Sequence, residues 1–178
     1  MNSSVEPTLA VSQELQYRVT QHYYLEARLL QNHEYRQWLE TLVAEDIHYW
    51  MPVYEQRYIK DKRPAPTPDD MAIYNDDYSE VKMRVERLYT GTVWMEDPPS
   101  RIRYLITNIE PFHTEVENEL KVYSNFLIIR NRGNGEKTEH AGGREDILRD
   151  LGNGFQLARR KINLDARVVM DKNLYFFA

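Results

Sequence analysis

Cysteine is absent from this sequence. That single absence excludes disulfides, cysteine-ligated zinc, cysteine-held iron–sulfur clusters and thiol nucleophiles. Long apolar runs are also missing, and none approaches the roughly 20 residues that a membrane-spanning helix requires. The first residues lack the basic start and apolar core of a secretory signal, so a cytoplasmic chain is expected. Positive charge is not in excess: 23 Lys and Arg against 28 Asp and Glu leave a net charge of -5, which disfavours nonspecific binding to nucleic acid. No HExxH, GxSxG, P-loop or dinucleotide-binding pattern occurs.

What is present suits a soluble globular chain. At 178 residues, with 42% hydrophobic and 29% charged residues, it is long enough for a sizeable core. The expected organisation is a flexible leader over residues 1–11 and one α+β domain over residues 12–178. Thirteen tyrosines and three tryptophans are a large share of amphipathic aromatics. They suit contacts with other chains, or the filling of a wide concave sheet.

The C-terminal half predicts an antiparallel meander, with extended stretches IRYLITNIEPF, ELKVYSNFLIIRNR, TEHAGGREDILRD and GFQLARRKINLD. Turn-forming connections separate them, and Gly133, Gly135, Gly152 and Gly154 fall in the last two, where a positive φ costs glycine little. Leu120, Val122, Phe126 and Ile128 share one parity, and Lys121, Tyr123 and Asn125 the other. The Gly142–Gly143 pair predicts a bulge or sharp bend, and hence a curved sheet.

The N-terminal half predicts the helices that cover it. Ser12 is a suitable N-cap, and Leu15, Val19, Tyr23, Ala27 and Leu30 recur at helical spacing. After Asn32–His33, the residues Tyr35, Trp38, Leu39 and Leu42 make a second stripe. Glu45–Asp46 is expected to turn the chain into a strand, IHYWMPV, with Pro52 at an edge or end. Asp77 and Glu80 form a candidate capping box for a third helix with Tyr78, Val81, Val85 and Leu88 inward. Between these lies YEQRYIKDKRPAPTPDD, an irregular arm carrying Arg57, Lys60, Lys62 and Arg63 before three prolines. Such an arm is either a solvated loop or a segment that lies across a partner.

Chemistry-bearing residues are few. His22 and Glu26, four apart on a helix, could ligate a metal, but without a second histidine at matching offset a surface pair is the simpler expectation. A cone of curved sheet and helices can also hold an acid–base site. His48, Tyr104, Asp146 and Asp165 are the candidates for one, as in stand-alone isomerases or dehydratases of that shape. The competing expectation is that these carboxylates pair with Arg144, Arg159 and Arg160 across neighbouring strands, Arg159–Arg160–Lys161 lying opposite Glu145–Asp146.

The segments WLETLVAEDIHYWMPV, DDMAIYNDDYSEVKMRVERL, TGTVWMEDPPSRIRYLITNIE, VYSNFLIIRNR, GGREDILR and LARRKINLD…DKNLYFF resemble the small (beta) subunit of aromatic-ring-hydroxylating dioxygenases, in the biphenyl, toluene and cumene branch. The resemblance implies a nuclear-transport-factor-2-like (cystatin-like) cone and a non-catalytic structural role. It implies no cofactor or metal in this chain, and a partner large (alpha) subunit holding a Rieske 2Fe-2S cluster and a mononuclear Fe(II). It further implies an alpha3-beta3 hexamer with two further copies of this chain. Ferredoxin and reductase would deliver NADH-derived electrons for cis-dihydroxylation of an arene by O2. No catalytic residue carries over. Candidate subunit contacts are Trp94, Glu96, Asp97 and Arg101 in one loop, and Arg57, Lys60 and Arg63 in the arm. Leu174, Tyr175, Phe176 and Phe177 in the tail are a third set, with docking on the chain's own sheet as the alternative.

Overall fold

The computed structural model describes residues 11–53, 57–91, 97–133, 135–166 and 177–178. The expected leader therefore lies outside the described residues except for its last, Val11. Helix α1 (Gln13–Gln31) starts where Ser12 accepts a hydrogen bond from the Leu15 N–H, with Glu14 in its first turn. A cap of this kind contributes about 1 kcal/mol. Helix α2 (Tyr35–Leu42) follows after His33, whose φ of 61° reverses the chain. Helix α3 (Tyr78–Tyr89) opens with the full capping box: the Glu80 N–H donates to Asp77 Oδ1, and the Asp77 N–H donates to the Glu80 carboxylate.

The strands are β1 (Val43–Pro52), β2 (Ala72–Asp76), β3 (Arg101–His113), β4 (Glu119–Arg132), β5 (Glu136–Asp150) and β6 (Phe155–Leu164). They form one six-stranded sheet in the order β2-β1-β6-β5-β4-β3. All neighbours are antiparallel except β1 and β6, where the N-terminal strand joins the end of the meander in parallel. This is an α+β cone, with the helices on the concave face of a bent sheet.

The alternation in β4 is as the sequence predicts: Leu120, Val122, Phe126 and Ile128 are buried, while Tyr123 and Asn125 are exposed. Of the bulge or sharp bend expected at the glycine pair, the bulge does not form. At Gly142–Gly143 the β4–β5 register runs through without a shift. The breaks lie at Thr107–Glu110 in β3, where Asn108 has a φ of 51°, between Val43 and His48 and between Met51 and Pro52 in β1, and opposite Ile147–Leu148, where β6 carries an extra residue. Gly142 serves close packing instead. A Cβ there would sit 2.3 Å from the Asn163 carbonyl oxygen and 2.8 Å from Cζ of Phe126. Glu45–Asp46 likewise makes no turn; both residues belong to β1, which starts directly at the end of α2.

The core lies between helices and sheet. Val19, Tyr23 and Leu30 of α1, Trp38 of α2, and Val81 and Val85 of α3 are fully buried against Val122, Ile128, Leu148 and Ile162. Each large aliphatic side chain so buried contributes roughly 1.5–3 kcal/mol.

Candidate functional site

The middle of the cone holds charge as well as hydrocarbon. Glu26 is only 1% exposed, and Arg144, Asp146 and Arg160 are equally enclosed. The Arg160 Nη1 and Nη2 donate to the two oxygens of Glu26 at 2.8 and 3.1 Å. Its Nε and Nη2 also donate to the two oxygens of Asp146 at 3.0 and 2.7 Å. Arg144 Nη1 and Trp38 Nε1 complete the Glu26 shell, each at 3.1 Å, and Tyr23 Oη donates to Asp146 at 2.7 Å. Burial alone would raise the Glu26 carboxyl, but Arg160 and Arg144 outweigh it and bring it to about 2. Burial and Asp146 push the Tyr23 hydroxyl well above its ordinary range. Burial lowers the His22 imidazole, so it is neutral in the fold at ordinary pH.

This network corrects the expectation that His22 and Glu26 are a surface pair: both are buried, and Glu26 is the hub of the interior charges. A signal for it exists in the sequence. Glu26 falls inside the apolar stripe, three residues after Tyr23 and four before Leu30, where an unpaired carboxylate would be prohibitively costly. The cross-strand pairing of Asp146 with Arg160 and of Glu145 with Lys161 follows the predicted opposition. Arg144 instead reaches the helix, and Arg159 is exposed.

The four acid–base candidates do not converge. His48 lies on the other face of β1 from the buried Tyr49, with its Nε2 2.8 Å from Asn75 Oδ1. Asp165 is exposed beyond the end of β6. Asp146 is consumed by Arg160 and Tyr23. Tyr104 is buried in the interior, its hydroxyl beside the Phe177 backbone.

Phe177 and Ala178 are buried in the interior. The Phe177 ring packs 4.8 Å from Trp38, 5.8 Å from Tyr35 and 6.4 Å from Tyr49, under the Arg84 guanidinium. Tyr49 Oη donates to the Ala178 backbone oxygen at 2.5 Å. Of the two alternatives for the tail, Phe177 thus docks within its own chain; Leu174, Tyr175 and Phe176 lie outside the described residues, as do Trp94 and Glu96. Asp97 and Arg101 are exposed at the entry to β3.

In the arm, Arg57 Nη1 donates to the carbonyls of Arg63 and Pro64, and Arg63 pairs with Asp61, so these two cations organise their own loop. Lys60 is exposed. Next to it stand Tyr58 and Ile59, 91% and 97% exposed, which sequence reasoning passed over. They stand at a turn in which the Asp61 N–H donates to the Tyr58 carbonyl. Among the described residues no group of three or more His, Asp or Glu is placed to hold a metal ion. A Rieske centre needs two cysteines, and this chain has none, so its donor set does not fit that cluster.

The comparisons with known proteins agree with this geometry. Residues 25–171 match the family model described as "Ring hydroxylating beta subunit". The chain belongs to that family. The benzene 1,2-dioxygenase subunit beta of Pseudomonas putida is 36% identical over 170 residues, covering 94% of this chain and 90% of that protein. The biphenyl 2,3-dioxygenase subunit beta of Rhodococcus jostii (strain RHA1) is 35% identical over the same span. A chain from a structure of naphthalene 1,2-dioxygenase with indole bound superposes with a TM-score of 0.87 at 26% identity, over 96% of this chain and 89% of that one. This beta subunit is therefore part of an aromatic-ring dioxygenase, an oxidoreductase complex, and works with an alpha subunit. No helix among its described residues is long and apolar enough to cross a membrane.

Proposed function

We propose that this beta subunit is the non-catalytic structural member of a cytoplasmic alpha3-beta3 dioxygenase. In this reading the large subunit holds the Rieske cluster and the mononuclear Fe(II), and receives NADH-derived electrons through ferredoxin and reductase. The complex uses O2 to cis-dihydroxylate an arene of the benzene, biphenyl or toluene kind. The observation that carries the reading is the state of the interior: its carboxylates are locked in ion pairs and its centre is occupied by Phe177. Paired in this way, Glu26 and Asp146 are not available to move a proton.

Adhesion, by contrast, is supported by the outside. Tyr58 and Ile59, with Lys60 beside them, present an apolar knob with a positive flank, and Asp97 and Arg101 are further exposed charges. Apolar knobs of this kind are typical anchors at protein interfaces. Co-expression with the large subunit, followed by analytical ultracentrifugation, tests the reading. The wild-type pair sediments as a hexamer, while Tyr58→Ala/Ile59→Ala and Arg101→Glu lower the assembled fraction without changing the fold of this chain. Conversion of an arene by this chain alone, or full assembly of both variants, would overturn it.

A further inference from the structure

The outer face of the sheet, away from the helices, carries a cavity of about 290 Å³. We propose that this cavity binds a single-ring aromatic monocarboxylate, its ring against His48 and Trp50 and its carboxylate between Lys121 and Arg159. Strand register builds the site. Lys121, Ile147, Arg159 and His48 pair in turn across β4, β5, β6 and β1, and in the next row Glu145 pairs with Lys161 and Lys161 with Trp50. Neighbouring strands lie about 4.8 Å apart, so Lys121 and Arg159 stand roughly 10 Å apart with Ile147 between them. The extra residue of β6 falls just before Arg159, and the β1 register also breaks just before His48. Irregularities of this kind re-aim side chains beside a site.

One side of the cavity is aromatic. The Trp50 ring is nearly parallel to that of His48, at 11° with centroids 6.4 Å apart, and Lys161 Nζ stands 5.5 Å over it. The arm fixes this side from above: Asn75 Nδ2 donates to the Pro68 carbonyl at 2.9 Å, while Asn75 Oδ1 accepts from His48 Nε2 at 2.8 Å. Flat aromatic faces held in one orientation favour a planar guest. The charge of the guest follows from the lining. Lys121, Arg159, Arg160 and Lys161 line the cavity against two carboxylates, Glu145 and Asp146. Glu145 is paired with Lys161 at 3.2 Å, and Asp146 with Arg160 at 2.7 Å. Asp46, two residues before His48 on the same face, is held by both terminal nitrogens of Arg149. The positive excess therefore lies at Arg159, which is exposed, and at Lys121, whose Nζ stands 4.9 Å over Tyr123. A carboxylate answers two such donors, and the small volume suits one ring rather than a fused pair.

The test needs only this chain, so its outcome is separate from that of assembly with the large subunit. The full-length chain is titrated calorimetrically with benzoate, benzamide and cyclohexanecarboxylate. In parallel, the Trp50 indole N–H signal, assigned through Trp50→Phe, is followed by NMR. Benzoate is expected to bind, to move the Trp50 signal, and to bind roughly 5-fold tighter than either of the other two. Arg159→Gln, at an exposed position, weakens benzoate by roughly 5-fold, the worth of one exposed ion pair, and leaves benzamide unchanged. Glu145→Gln acts in the opposite direction: it releases Lys161 and tightens benzoate by roughly 3-fold. No saturable binding of benzoate, or binding that leaves the Trp50 signal in place, overturns the site. Equal affinity for benzamide, or no effect of Arg159→Gln, overturns its carboxylate half, and equal affinity for cyclohexanecarboxylate overturns its ring half. Should Trp50→Phe not fold, the methyl signals of Ile147, assigned through Ile147→Val, serve in place of the indole.

Discussion

Glu26 in the interior and Asp61 on the arm have the same carboxyl pKa, about 2, for opposite reasons. At Asp61 the Arg63 side chain and backbone N–H lower it directly, at the surface, where only its own loop shields it. At Glu26 burial opposes ionisation, and the charge survives because Arg160 and Arg144 are buried with it. One pair is screened and dispensable. The other is desolvated, and each member is stable only while the rest are present. Equal pKa values thus conceal very different consequences for the fold.

The sharpest way to break this contrast is to remove one charge from each region. Glu26→Gln leaves two buried arginines facing a single carboxylate, and should cost about 3–5 kcal/mol in urea unfolding. Asp61→Asn should leave the unfolding midpoint unchanged. Similar losses in both would mean that the interior network is no more coupled than the surface one.

Acid titration separates the regions next. The Glu26 carboxyl is lower in the fold than its ordinary value of 4.5, so its contribution is fully present above that pH and is lost as pH falls toward 2. Urea midpoints measured between pH 5 and pH 2 should fall steeply for the wild type and less steeply for Glu26→Gln. A parallel decline would show that other carboxylates control acid unfolding.

Adjacent glycines give a smaller effect of the same kind. Gly142→Ala drives a Cβ into Asn163 and Phe126 on the inner face and should cost about 1–3 kcal/mol. Gly143→Ala meets nothing closer than 3.7 Å and should stay within about 0.5 kcal/mol of wild type by thermal denaturation. Salt is the mildest probe. Raising ionic strength to about 1 M shortens the screening length to roughly 3 Å, so the Asp61 pKa should climb toward its ordinary value while that of Glu26 hardly moves. Carboxyl titrations followed by NMR would read both.

Much of the fold was legible because its signals are local. The Ser12 cap, the Asp77–Glu80 box and the alternation of β4 each depend on residues within a few positions of one another. The errors came where distant chain segments decide. Gly142–Gly143 reads as a bulge until Phe126 and Asn163 are known to press against it, and Glu45–Asp46 reads as a turn until β1 is known to begin already at Val43, which pairs with Leu157 of β6. The same holds for the interior. Ile147 faces Arg159 across the sheet and Leu148 faces Leu157, and the residue left over in β6 sets which side chains of that strand point inward. Without that shift, Arg160 cannot be assigned to the network with Glu26.

The family, the order of elements and the lack of a cysteine-ligated cluster are properties of the sequence itself, since residue identity and short-range spacing determine them. Which carboxylates are locked, where Phe177 lies, and how Tyr58 and Ile59 come to face water were decided only by tertiary structure. Those outcomes depend on the dielectric and the neighbours at each side chain, and both are created when remote strands and helices close around it.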